Sequence, residues 1–199
     1  MNAFQNVCVF CGSSDKVGEP YLKAAGEMGQ ALARRNLTLV YGAGGTGLMG
    51  ALADAALAGG AHVIGITPES FNTPQLMHPK LEELHVVKTM HERKALMVDI
   101  SDAFIALPGG YGTLEELFEI LCWAQVGLHS KPVGVLDSFG YFEPLNSLIE
   151  HARQEGFIYE EHRGLLIHDA DPDALLDQMA MYQPPEGLER WVNRPEEGQ

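Results

Sequence analysis

The chain has 199 residues, 46% of them apolar and 20% charged, with a formal net charge of −14. That size suits one domain whose core needs no disulfide or metal staple. The acidic balance argues against a nucleic-acid polymer as partner, since such binding rests on rows of Lys and Arg, but a small phosphorylated ligand can still be held by one helix N-terminus and a cation or two.

Short β-branched runs alternate with longer helical ones. "NVCVFCGSS" from Asn6 reads as a strand ending in a Gly-Ser-Ser turn, and Pro20–Asn36 as a helix with Pro at its start. "LTLVYGAGG" is a second strand running into glycines, and Gly47–Gly60 an Ala-rich helix. "HVIGITP" and "ELHVVKTM" are the third and fourth strands, parted by the irregular "ESFNTPQLMHPK", a loop or lid. "HERKALMVDIS" is a helix, "AFIALPGG" a fifth strand, and a long helix begins near Thr113. "PVGVLD", "FEPLNSLIEHARQEG", "GLLIHD" and "DPDALLDQMAMY" complete a strand, helix, strand, helix series. Apolar strands alternating with helices predict an α/β fold: a three-layer, doubly wound parallel sheet, Rossmann-like, in a single domain. The domain spans 1–182, and 183–199 form an acidic, Pro-rich C-terminal tail. No apolar run approaches the ~20 residues that span a bilayer. The N-terminus lacks the basic stretch of a signal peptide, so a soluble cytoplasmic protein is expected.

Cys8 and Cys11 form a CxxC, but on a strand positions three apart face opposite sides. Two buried hydrophobes are expected there, and no metal site. The glycine clusters point to a ligand site, because each follows a strand: Gly12 and Ser13 the first, Gly42 to Gly47 the second, Gly109 to Gly112 the fifth. Doubly wound sheets bind ligands beyond the carboxyl ends of their strands. Gly42-x-Gly44-x-x-Gly47 matches the dinucleotide fingerprint, with Glu69 as a rough candidate for the ribose acid, but it follows the second strand rather than the first. Backbone lining of a nucleotide-sized pocket by Gly44 and Gly45 is the expectation. An oxidoreductase using NAD is a weaker alternative.

"PGGYGTLEE", Pro108 to Glu116, has a sharper mechanism. Its glycines bend the backbone so that N–H groups enter the crevice, and the helix start adds further N–H groups and its dipole. That makes a site for one phosphate. Thr113-x-x-Glu116 is also a capping-box pattern, in which Glu116 merely closes the helix start. Spacing leaves both readings of Glu116 open. Glu115 reads as an exposed acid or the partner of a nearby cation. In "MHERK", Arg93 and Lys94 sit about 100° apart on a helix, so both can approach the lip of the same site.

"MHERK" followed by "PGGYGTLEE" resembles the LOG ("lonely guy") family, cytokinin riboside 5'-monophosphate phosphoribohydrolases long labelled lysine decarboxylases. The resemblance runs from about Asn6 to Tyr182 and takes in "VFCGSS", "GLMG" and "GYFEPL". It implies hydrolysis of the N-glycosidic bond of a nucleoside 5'-monophosphate, a cytokinin riboside monophosphate or AMP, giving free base and ribose 5-phosphate. It implies Arg93 and Glu116 as the catalytic pair. It also implies substrate contacts at Lys94, Gly109, Gly110, Tyr111, Gly112 and Thr113, with Gly12, Ser13, Gly44, Gly45, Met90 and Cys122 around them. Cys122 stands where plant relatives commonly carry Thr. A homodimer is implied, with no metal and no cofactor. The decarboxylase label would require a Schiff-base lysine under pyridoxal phosphate, and no lysine has a recognisable cofactor setting. The competing reading on the same fold is a non-catalytic nucleotide or molybdenum-cofactor binding protein.

Overall fold

The protein's structure, a computed structural model, describes residues 3–188. Along the chain run β1 (Asn6–Phe10), α1 (Glu19–Arg34), β2 (Thr38–Tyr41), α2 (Gly47–Ala58), β3 (Val63–Pro68), β4 (Glu83–Val87) and α3 (Met90–Ile100). The second half holds β5 (Ala103–Ala106), α4 (Tyr111–Gln125), β6 (Val133–Leu136), α5 (Glu143–Gln154), β7 (Leu166–Asp169) and α6 (Pro172–Ala180). The strands form one seven-stranded sheet in the order β4-β3-β2-β1-β5-β6-β7, with every pairing parallel. The expected doubly wound α/β architecture is what forms.

The physical cause is visible in the strands. β1, β2, β3, β5 and β6 are buried along almost their whole length, as apolar strands covered on both faces must be. Val7, Val9, Leu39, Tyr41 and Ile105 meet Met28, Leu32 and Leu52 of α1 and α2 and Leu175 and Leu176 of α6 on one face. Cys8, Phe10, Val40, Ile66 and Phe104 meet Met97 of α3 and Leu117 and Ile120 of α4 on the other. Cys8 and Cys11 fall into these two opposite cores, both are free thiols, and burial pushes both well up from the ordinary thiol range. The strand reading of the CxxC holds.

The topology decides where a ligand can sit. The chain lays down β1 to β4 in one direction, then returns through α3 to place β5 on the other side of β1. That reversal opens a crevice at the carboxyl ends of β1 and β5. The loops that flank it carry Gly12 and Gly109–Gly112.

Two regions lie apart. α5 has an apolar stripe, yet none of its residues is buried. The segment read as a tail first turns back onto the body, where Leu188 is buried against Ala124 and Leu165. Residues 189–199 lie outside the described residues.

Candidate active site

Arg93 and Glu116 meet at the crevice. Thr89 starts α3, its hydroxyl accepting from Glu92 N–H at 3.1 Å, and Arg93 stands one turn in. The guanidinium donates from Nη1 to Glu116 Oε1 at 3.0 Å and from Nε to the carbonyl of Ile66, in the second half of β3, at 3.1 Å. Both side chains are nine-tenths buried. Burial raises the Glu116 carboxyl pKa above the ordinary glutamate value; Arg93 opposes the shift, and nearby Glu115 adds to it. Its second oxygen, Oε2, has no hydrogen-bond partner among the described residues. The pair is therefore a desolvated carboxylate aimed by one arginine, with one oxygen left for chemistry.

The capping-box reading of Glu116 fails, because α4 begins two residues earlier than expected, at Tyr111. Thr113 is then inside the first turn, buried, with its hydroxyl packed beside Gly109. Glu116 lies in the second turn, beyond reach of the helix start. The same Thr-x-x-Glu pattern does cap a helix at Thr89–Glu92, where the Glu92 carboxylate accepts from Lys88 N–H at 2.9 Å.

The start of α4 is open. Its N-cap is Gly110, with no side chain bonded there. From Gly109 to Thr113, five successive N–H groups meet no protein acceptor among the described residues. A Cβ at Gly110 or Gly112 would touch nothing within 4 Å, whereas one at Gly109 would fall 2.1 Å from Thr113 Oγ1. The loop is thus pinned at Gly109 and bare beyond it, which is what a phosphate needs. From Gly110 to Glu116 the helix climbs about 9 Å, roughly the span of a sugar phosphate.

The β2 glycines have a different task. The N–H groups of Leu48 and Met49 at the start of α2 both bond the Gly12 carbonyl, at 2.9 and 3.3 Å, so that helix start is closed to a pyrophosphate. Gly45 N–H bonds the Leu76 carbonyl at 2.8 Å, and Gly44 bridges Met77. The segment foreseen as a loop or lid is a loop docked as a strap on these glycines. Glu69, the rough ribose candidate, is exposed on a 3-10 turn after β3. Gly42 makes room for Arg93: a Cβ there would fall 2.1 Å from Arg93 Nη2. Sequence reading missed this role, as it missed the Ile66 carbonyl.

The remaining candidates scatter around this centre. Gly12 donates to the Pro108 carbonyl at 3.1 Å, and the Ser13 carbonyl accepts from Thr46 at 2.7 Å, so both knit the crevice floor. Met90 Sδ lies 3.2 Å from Arg93 Nη1. Tyr111 is almost fully exposed at the helix start. Lys94 turns away from Glu116 to Glu115 (2.5 Å) and Glu119 (3.0 Å). Burial disfavours its charge, but these carboxylates outweigh that and raise its pKa, the reverse of what a Schiff-base lysine needs. Glu115 is thus the partner of a cation, as foreseen. Cys122 lies farther along α4, on a separate cavity of about 400 Å³ with Phe118, Ile149 and Ile158.

A parallel α/β sheet with an open row of N–H groups at its switch point and a buried Arg–Glu pair nearby has the architecture of the doubly wound proteins that take ligands at the carboxyl ends of their strands. Comparison with known proteins narrows this. A family model described as "Possible lysine decarboxylase" matches residues 49–179. A cytokinin riboside 5'-monophosphate phosphoribohydrolase of Rhodococcoides fascians is 52% identical over 82% of this chain and 83% of its own. One of Arabidopsis thaliana is 46% identical over 91% and 84%, and a probable one of Oryza sativa subsp. japonica 48% over 91% and 74%. The chain belongs to this family, the LOG phosphoribohydrolases. Among solved structures, the molybdenum cofactor binding protein of Rippkaea orientalis superposes with a TM-score of 0.67 over 89% of this chain and 96% of that one. At 21% identity this likeness speaks for the fold alone.

Proposed function

We propose that the protein hydrolyses the N-glycosidic bond of a nucleoside 5'-monophosphate, a cytokinin riboside monophosphate or AMP, to free base and ribose 5-phosphate. The observation that carries this reading is the buried Arg93–Glu116 pair one helical turn above an open row of N–H groups. An anion binder gains nothing from a carboxylate beside its anion. A nucleotide hydrolase does: breaking the bond to the base develops positive charge on the ribose, and a carboxylate facing that carbon stabilises it and aligns the attacking water. In this reading Gly109, Gly110, Gly112 and Thr113 hold the 5'-phosphate, and Tyr111 and Met90 border the ligand. Arg93 holds Oε1, leaving Oε2 of Glu116 to face the sugar. Placing both groups on α4 fixes the distance from phosphate to reacting carbon, which lowers the entropy cost of the reaction. Burial keeps the carboxylate dry, which strengthens its field.

A homodimer accords with α5, whose apolar stripe has no buried residue and would be covered by a second copy. Three free thiols among the described residues accord with a cytoplasmic setting. The test is to incubate pure protein with AMP, isopentenyladenosine monophosphate and adenosine and to measure free base. Base from the monophosphates but not from adenosine is expected. No base from any of them would return the protein to the non-catalytic binders.

A further inference from the structure

The loop after β6 reaches across the crevice, and nothing in the proposed reaction uses it. There Tyr141 Oη donates to the Gly109 carbonyl at 2.6 Å. The loop is built to bring it there. Phe139 and Gly140 both have positive φ, 60° and 69°, and for a bulky residue such as Phe that is a conformation the surroundings must impose. Tyr21 of α1 packs edge-on against both Phe139 (5.4 Å between ring centroids) and Tyr141 (6.1 Å). Asp137 ties the far side, accepting from Phe142 N–H at 2.7 Å.

We infer that Tyr141 is a positioning residue for the anion cradle, its hydroxyl fixing the Gly109–Gly110 peptide so that the Gly110 N–H faces the ligand phosphate. A trans peptide is planar, so holding its carbonyl oxygen fixes the direction of the following N–H, which points the opposite way. The preceding peptide is held in the same manner, the Pro108 carbonyl accepting from Gly12 N–H at 3.1 Å. Two successive carbonyls are thus tied to protein donors, while the Gly109 and Gly110 N–H groups remain without an acceptor among the described residues. Glycine at both positions gives this stretch unusual backbone freedom, so an outside tether has something to restrain.

The inference rests on the reading of the cradle as the 5'-phosphate site. Its test is Tyr141→Phe, which keeps the ring against Tyr21 and removes only the hydroxyl. Loss of one hydrogen bond of ordinary strength predicts two- to tenfold weaker binding of ribose 5-phosphate. The KM for AMP rises with it, most of the loss falling on KM rather than kcat, while adenine affinity and melting temperature stay near wild type. Equal weakening of adenine and ribose 5-phosphate, or no change in either, overturns the inference. Ribose 5-phosphate binding by calorimetry separates this outcome from failure of the proposed reaction. A wild-type protein that binds ribose 5-phosphate but releases no base refutes the reaction alone, and one that binds no ribose 5-phosphate refutes the cradle and Tyr141's role together.

Discussion

Gly42→Ala adds one methyl group at a buried loop position and tests whether the placement of Arg93 matters. The new Cβ falls 2.1 Å from Arg93 Nη2, where an ordinary contact needs at least 3.4 Å, so the guanidinium must retreat by about 1.3 Å. Its bonds to Glu116 and Ile66, at 3.0 and 3.1 Å, do not survive a shift of that size. A misplacement of about 1 Å costs on the order of 10²-fold in rate, or about 3 kcal/mol of transition-state stabilisation. Folding is weakened as well, because a buried ion pair loses its contacts, and the melting curve reads that loss separately from the rate. Gly42 does not have a positive φ, so alanine fits its backbone, and loss of glycine's freedom in the unfolded chain offsets part of the clash by about 0.4–1 kcal/mol. The assay is kcat/KM on AMP alongside a melting curve. We expect kcat/KM down about 100-fold. The acid limb of the pH–rate profile should move upward, because Glu116 loses the cation that opposes its raised pKa. Wild-type activity in a folded Gly42→Ala protein would refute the role given to the arginine's position.

Other consequences follow from burial and charge. Glu116→Gln should not lower the melting temperature at neutral pH, since burial already disfavours the ionised carboxyl despite Arg93. A carboxyl with a raised folded-state pKa contributes stability that is present below its unfolded value and lost as pH rises through the folded one. The melting temperature of the variant minus that of wild type should therefore increase from about pH 4.5 upward; a difference that falls with rising pH would contradict the assignment. Leu148→Glu, at an exposed position on α5, should convert a dimer into a monomer in light scattering without lowering helix content by circular dichroism. A dimer unchanged by that charge would show that this face is not the interface.

The sheet was legible because its strands are short, apolar and punctuated by glycine, and that pattern has few alternatives. The open, glycine-rich turn at the start of α4 was legible for the same reason. The α4 boundary was not: Thr-x-x-Glu marks a cap at Thr89 and merely imitates one at Thr113, and spacing does not distinguish an N-cap from a third helical residue. Gly42 looked like part of a fingerprint because glycine patterns record where side chains are forbidden, not what forbids them. Here the obstacle is an arginine from a helix some 50 residues later in the chain. Tyr141 carried no local signal either, since its partner is a backbone carbonyl 32 residues away. Cys122 illustrates the converse: a position implied by resemblance lies on the α4–α5 cavity, not beside Glu116.

The central claim is that Glu116 performs the chemistry while the start of α4 holds the phosphate. Release of ribose 5-phosphate from AMP by Glu116→Gln, measured together with AMP binding to the same variant, addresses it most directly. Retained binding with turnover lowered at least about 10²-fold is the predicted result. Turnover close to wild type, or loss of binding in step with turnover, would contradict it.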